Sequence, residues 1–148
     1  MKGITLNQPW ENEPEDISEL VGFVYEITTP LGDKYIGKKL FWTHKKLPPL
    51  KGMRRARREW KETNWRKYWG SSAEIVYLRK QYKTGWRRVI LRVCKSKWEM
   101  AYYEVKEQIG RDALLREDYI NGLISVVLRK APDRLIMPKV RTRKRAGK

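Results

Sequence analysis

Cysteine and histidine are almost missing from this chain. Its 148 residues include one cysteine, Cys94, and one histidine, His44. A lone thiol cannot close a disulfide within the chain. A bridge-stapled secreted scaffold is therefore excluded, and a cytoplasmic location is expected. One cysteine and one histidine also cannot build a zinc site of the usual kind. No apolar run approaches the roughly 20 residues of a membrane span. Met1 to Trp10 carries no hydrophobic signal region. No membrane partner is expected. The sequence has no phosphate-cradling Walker loop and no Gly-x-Ser-x-Gly nucleophile elbow. Acids are scarce too: 17 Asp and Glu stand against 34 Lys and Arg, a net charge of +17.

What is present argues for a folded, basic domain. Seven tryptophans and eight tyrosines give too much apolar payload for wholesale disorder. The length fits one domain, which buries about two-thirds of its surface on folding. A charge of +17 exceeds what solubility requires and points to a polyanion, nucleic acid first.

The charge is unevenly placed. Residues 1–20 hold Glu11, Glu13, Glu15, Asp16 and Glu19 against Lys2, and read as a loose acidic arm that phosphate would repel. Residues 21–128 read as the folded domain. Within it, residues 38–69 carry twelve bases and two acids, interleaved with Trp42, Trp60, Trp65, Tyr68 and Trp69. These rings either stack on nucleic-acid bases or form the core of the domain. Residues 129–148 hold nine bases and one acid, contain Pro132 and Pro138, and read as a flexible basic tail.

Periodicity gives a coarse architecture. Gly22–Thr28 alternates apolar residues, Thr29–Asp33 has turn chemistry, and Lys34–Lys39 returns as a second strand. Met53–Thr63, rich in Arg, Glu and Lys, reads as a helix. Ser72–Tyr82 reads as another, with Ile75, Leu78 and Tyr82 at helical steps. Trp86–Cys94 reads as a third strand, with Val89, Leu91 and Val93 on one face and Ile90 and Cys94 on the other. Ser96–Arg111 is an amphipathic helix, capped by Ser96 with Glu99 three residues on, its stripe being Trp98, Ala101, Tyr102, Val105 and Ile109. Tyr119–Leu128 is a last strand or short helix. The expected fold class is α+β, a small antiparallel three-stranded sheet flanked by helices.

Residue chemistry in this frame suits phosphodiester cleavage. A cut needs a base for water, a positive charge for the developing oxyanion, and a metal clamp. A tyrosine beside lysines (Tyr25 or Tyr35) can be made more acidic and serve as base. Lys38, or an arginine from the following basic block, can stabilise the charge. A single carboxylate can hold Mg²⁺, which keeps most of its waters. Glu104 lies off the apolar stripe and would face water or a groove, with Glu107 a near-equal rival. His44 could assist proton transfer or simply touch phosphate. Equally, Tyr25 and Tyr35 are ordinary cross-strand aromatics.

The run Phe23-Val24-Tyr25, nine residues, then Tyr35-Ile36-Gly37-Lys38 resembles the paired motif of the GIY-YIG nucleases. Tyr68-Trp69-Gly70-Ser71-Ser72, the strand Val89-Ile90-Leu91 and the segment Tyr102-Tyr103-Glu104 continue in that family's order. The likeness covers about residues 20–125 and is similar to the phage seg-type endonucleases. The first motif departs from Gly-Ile-Tyr, keeping only its tyrosine. The resemblance implies Mg²⁺-dependent hydrolysis of double-stranded DNA, with Mn²⁺ as an alternative metal, in the cytoplasm of a bacterial host. It implies Tyr25 and Tyr35 in the site with one as general base, Lys38 beside them, Glu104 as metal ligand, and Asn121 as a supporting asparagine. The place of the family's arginine is held here by Lys45, beside His44, and the segment, stretched by a Pro-Pro basic insertion, offers Arg54, Arg55, Arg57 and Arg58, of which Arg58 is preferred. Expected DNA contacts are Lys39, His44, Lys45, Lys46, Arg54, Arg55, Arg57, Arg66, Lys67, Ser71 and Ser72. The alternative function is a non-catalytic DNA- or RNA-binding protein on the same scaffold.

Overall fold

A computed structural model describes residues 8–139. Strands β1 (Gly22–Thr28) and β2 (Lys34–Leu40) form the expected hairpin, with Tyr25 opposite Gly37 and Ile27 opposite Tyr35. Its turn is closed by Gly32 N–H on the Thr29 carbonyl at 2.9 Å. Gly32 has a φ of +89°, which side chains rarely tolerate.

The chain does not form the expected helix at Met53–Thr63. Instead β3 (Trp42–Leu47) and β4 (Arg57–Glu62) pair as a second antiparallel hairpin. Residues 53–63 have strong helix formers but no apolar stripe to bury. Propensity alone is a weak force, and cross-strand pairing decides the outcome. All six residues of β4 are exposed.

Helix α1 (Ala73–Gln81), β5 (Arg87–Cys94) and α2 (Lys97–Gly110) lie close to their expected bounds. The main sheet has the order β2–β1–β5. Two apolar clusters cover its two faces. Phe23, Tyr25, Ile27 and Ile90 meet Trp10, Phe41, Trp65, Trp69, Trp86 and Ile75 on one side. Val24, Ile36 and Cys94 meet Met100, Ala113 and Tyr119 on the other. The tryptophans thus divide: Trp65, Trp69 and Trp86 are core, whereas Trp60 is 60% exposed.

Ile90 and Cys94 do not share a face, contrary to simple alternation. The register slips opposite Val24 and Tyr25, leaving Leu91 unpaired, and this bulge reverses the pattern. The buried row of α2 also differs from the expected stripe. Met100 and Gln108 are buried, while Ile109 is 62% exposed. Helix periodicity marked an apolar side, but Trp98 and Tyr102 stack on each other at 5.0 Å on the outer surface. The start of α2 follows the sequence: Ser96 accepts the Glu99 N–H at 3.1 Å, and the Glu99 carboxylate accepts the Lys95 N–H at 2.9 Å. Such a cap stabilises by about 1 kcal/mol.

Residues 8–20 are not a loose arm. Trp10 is 3% exposed, and its indole N–H donates to the Trp65 carbonyl at 2.7 Å. Glu11 pairs with the outer edge of β5 through Glu11 N–H on Arg88 and Ile90 N–H on Glu11. The acids that phosphate would repel instead meet bases: Glu11 with Arg87, and Glu13 with Arg66. On the opposite edge, Ile120 N–H donates to Lys34 and Lys34 N–H to Asp118. Tyr119–Leu128 is therefore neither strand nor helix, but an irregular run with one bridge to β2 at Tyr119. The expected tail is described only to residue 139, and its basic end lies outside the described residues. Among the described residues no helix is long and apolar enough to cross a membrane.

Candidate active site

The edge strand β2, the inner row of α2 and residues 120–126 enclose a polar groove of about 440 Å³. Tyr35, Ser72, Glu104, Gln108 and Asn121 line it. Glu104 is there because α2 packs its Met100–Gln108 row toward the sheet. Its carboxylate lies 3.9 Å from the Lys38 ammonium, beyond hydrogen-bond reach. Burial pushes the Glu104 carboxyl above its ordinary range, and Lys38 opposes this.

Asn121 acts on the backbone of β2. Its Oδ1 accepts the Ile36 N–H at 2.9 Å, and its Nδ2 donates to the Ile36 carbonyl at 2.8 Å. One side-chain amide thus takes the place of a neighbouring strand midway along the Tyr35–Lys38 run. Gln108 adds a 3.3 Å bond to the same carbonyl. Sequence reasoning missed Gln108, although it stands four residues after Glu104 on one helix face.

The two motif tyrosines differ in access. Tyr25 is 1% exposed and lies behind the groove, its ring centroid 6.3 Å from Tyr35 and 5.9 Å from Tyr68. Gly37 leaves room for it, since a Cβ there would stand 2.6 Å from its Cζ. Tyr35 is half-buried and reaches the groove. The lysines do not acidify these phenols as expected. Burial, with Tyr68, Tyr35 and Glu104 adding to it, pushes Tyr25 far above the ordinary phenol range. Tyr35 is pushed up as well, by burial first, then Glu104 and Tyr68. Tyr68 carries Lys39 over its ring at 4.2 Å.

Other expected site residues lie elsewhere. His44, Lys45 and Lys46 are on β3, Arg57 and Arg58 on β4, and Arg54 and Arg55 in the loop between. None lines the groove, so Arg58 is not brought to Glu104; Lys38 is the cation at that carboxylate. Arg66 is engaged by Glu13 at 2.7 Å and Glu62 at 3.3 Å, and Lys67 is exposed beside it. Ser71 is exposed just ahead of Ser72, which precedes α1. The rival Glu107 is taken by Arg92 at 3.5 Å and Arg111 at 3.1 Å. A larger groove of about 620 Å³ lies between Trp42, His44, Trp60 and Lys97. Among the described residues it holds no acid and shares no residue with the first.

The donor chemistry of the first groove bears on whether it could hold a divalent cation. Among the described residues no three His, Cys, Asp or Glu side chains cluster as a closed metal cage. Mg²⁺ needs none: it binds through one or two carboxylates, with water and substrate phosphate completing its shell. Glu104, the carboxylate that lines this groove, lies 3.9 Å from Lys38 and is the residue that could hold such a cation.

No curated protein and no solved structure matches the chain. Residues 4–124 match the family model described as "Putative endonuclease segE, GIY-YIG domain". That match spans most of the chain, including the paired tyrosine motif, the Glu104 helix and Asn121, and it includes the N-terminal segment that packs on β5. The chain therefore belongs to the GIY-YIG nuclease family, in its SegE type.

Proposed function

We propose that this protein is an endonuclease of the phage homing type that hydrolyses double-stranded DNA with Mg²⁺ in the Tyr35–Glu104 groove. The observation that carries the reading is the convergence of Tyr35, Glu104 and Asn121 on one groove, with Lys38 3.9 Å from the carboxylate. Family membership supports DNA as the substrate, and a charge of +17 supports a polyanion.

The residues divide the work by access. Tyr35 faces the groove and is the phenol that meets the attacking water. Tyr25 is sealed behind it and holds the local geometry. Lys38 offers positive charge to the phosphate as it becomes more negative. Asn121 and Gln108 fix the β2 backbone that carries Tyr35 and Lys38. Glu104 would hold Mg²⁺, or Mn²⁺ in its place, which supplies charge against the phosphate oxygens when bound. Tyr35 is protonated at neutral pH, so it holds water by hydrogen bond and takes its proton only in the phenolate fraction.

Supercoiled plasmid with Mg²⁺ tests the reading. The wild-type protein is expected to nick it, and Glu104→Ala to leave it intact. No nicking by wild type, or equal nicking by the variant, would defeat it. Two features favour a second reading, a non-catalytic DNA- or RNA-binding protein: both phenols are pushed up, and among the described residues no arginine lines the groove. Salt-sensitive binding without turnover in any divalent metal would select it.

A further inference from the structure

The β3–β4 hairpin carries more positive charge than its own acids balance. Lys46 stands directly opposite Arg58 in the pairing register. Like charges facing each other across strands destabilise the pair. Lys45, Lys46, Arg57, Arg58 and Lys61 make no ion pair among the described residues, and neither do Lys51, Arg54 and Arg55 of the connecting loop. Some bases of the main body, by contrast, do meet acids: Lys38 with Glu104, Arg66 with Glu13, Arg87 with Glu11, Arg92 with Glu107. The hairpin also buries little, with β4 exposed along its whole length. An isolated two-stranded ribbon is marginal in water. Lys45 does face Glu59, but eight bases against Glu59 and Glu62 leave residues 42–62 with a net charge of +6, which suits a polyanion.

We propose that the β3–β4 hairpin is a duplex-holding arm that lies in the major groove of DNA beside the cleavage groove. Its dimensions fit. Six extended residues span about 20 Å, two strands lie about 4.8 Å apart, and the major groove is about 12 Å wide and admits a two-stranded ribbon. Its charge fits, because the unpaired cations meet phosphates on both groove walls. Its position fits. Thr43 and Lys61 share a depression with Lys39. Lys39 lies over Tyr68, and Tyr68 packs on Tyr25, so a duplex held by the arm continues along β2 toward Tyr35. The proposal rests on the reading of the chain as a DNA nuclease, but it makes a separate claim about binding.

Binding to a duplex oligonucleotide in EDTA, where no metal-dependent cleavage occurs, tests it on the full chain. Arg58→Glu places a carboxylate opposite Lys46. It is expected to keep or raise the melting temperature while raising the Kd about 10-fold or more at about 0.1 M salt. Replacing Lys45, Lys46, Arg57 and Arg58 together by alanine is expected to lower the slope of log Kd against log salt by about 0.9 for each phosphate no longer neutralised. Wild type should protect guanine N7, a major-groove atom, from dimethyl sulfate, and the quadruple variant should not. Duplex RNA, whose major groove is too narrow for a ribbon, should compete at least about 10-fold worse. Unchanged Kd in a folded Arg58→Glu protein, protection of adenine N3 in place of guanine N7, or equal competition by duplex RNA would overturn the proposal. Plasmid cleavage intact with no N7 protection sinks the arm alone. N7 protection without any cleavage sinks the nuclease reading and leaves the arm.

Discussion

Gly37 lies directly beneath the phenol of Tyr25: a Cβ at position 37 would stand 2.6 Å from the Tyr25 Cζ and 3.0 Å from the Tyr35 Cε1. The two residues are partners across β1 and β2. The missing side chain is therefore the seat of one motif tyrosine and the neighbour of the other. Gly37→Ala forces the phenol out or the strands apart. Overpacking of this kind costs about 1–3 kcal/mol, which lowers the melting temperature by about 2–4 °C per kcal/mol at this size. Thermal unfolding and plasmid nicking of the folded variant check it. The expected result is a lower melting temperature and a loss of cleavage larger than the stability change explains.

The raised phenols set a pH signature. Tyr35 is pushed above its ordinary value by burial and by Glu104. Below that value its phenolate fraction grows tenfold per pH unit. If Tyr35 takes the proton from water, the single-turnover rate should climb with a slope near +1 across about pH 6–9, with no neutral plateau. Tyr35→Phe should flatten the profile and lower the rate by about 10²-fold or more. A plateau at neutral pH in the wild type would assign the proton acceptor elsewhere.

Much of this was legible in the sequence, and the misses share a cause. The β1–β2 hairpin, α1, β5 and the Ser96 cap are local structures, written in alternation, turn chemistry and capping residues. The grouping of Tyr35, Glu104 and Asn121 followed from motif order, because a family pattern encodes a tertiary meeting that no local rule contains. The misses are tertiary outcomes. Residues 57–62 have helix propensity, yet they pair with residues 42–47, a tertiary pairing that local propensity does not register. The acidic residues 11–19 looked unattached, yet Trp10 and Glu11 dock on Trp65 and β5, partners more than 50 residues away. The apolar stripe of α2 missed its buried row because Gln108 is polar and is buried by its bond to Ile36.

Glu104 sets stability against function. Its folded pKa lies above the unfolded value, because burial disfavours the carboxylate. Stability is then fullest below the unfolded pKa, where both states hold the proton. It falls as pH rises through the folded pKa, and at neutral pH the penalty is present in full. Glu104→Gln removes the charge that burial disfavours. It should raise the melting temperature at pH 7, with the advantage vanishing near about pH 4. It should also lower cleavage on the order of 10²–10³-fold, the range for loss of one group that stabilises the transition state. Melting scans at the two pH values with parallel nicking assays check both halves. A variant less stable at pH 7 would contradict the burial argument.

Arg88 is the hub that holds the N-terminal segment to the site. It is 4% exposed, and its guanidinium lies 4.4 Å from the Trp10 ring centroid and 4.5 Å from that of Trp69. It donates to the carbonyls of Tyr68 at 2.6 Å, Gln8 at 2.7 Å and Arg66 at 2.7 Å. Burial lowers its pKa to about 10, still far above neutral, so the group remains charged. A lysine could satisfy some of these carbonyls but cannot lie flat between two indoles. Arg88→Lys therefore leaves at least one part-buried carbonyl unpaired, at about 1–3 kcal/mol, and loses the stacking as well. A loss of about 2 kcal/mol corresponds to a fall of about 4–8 °C in melting temperature. Because Arg88 grips Tyr68, and Tyr68 backs Tyr25, the loosening should reach the groove as well as the N-terminal segment. Hydrogen exchange should show reduced protection at Glu11 and Tyr68 together. Faster exchange at Glu11 alone, with Tyr68 unchanged, would show that the segment detaches without disturbing the site.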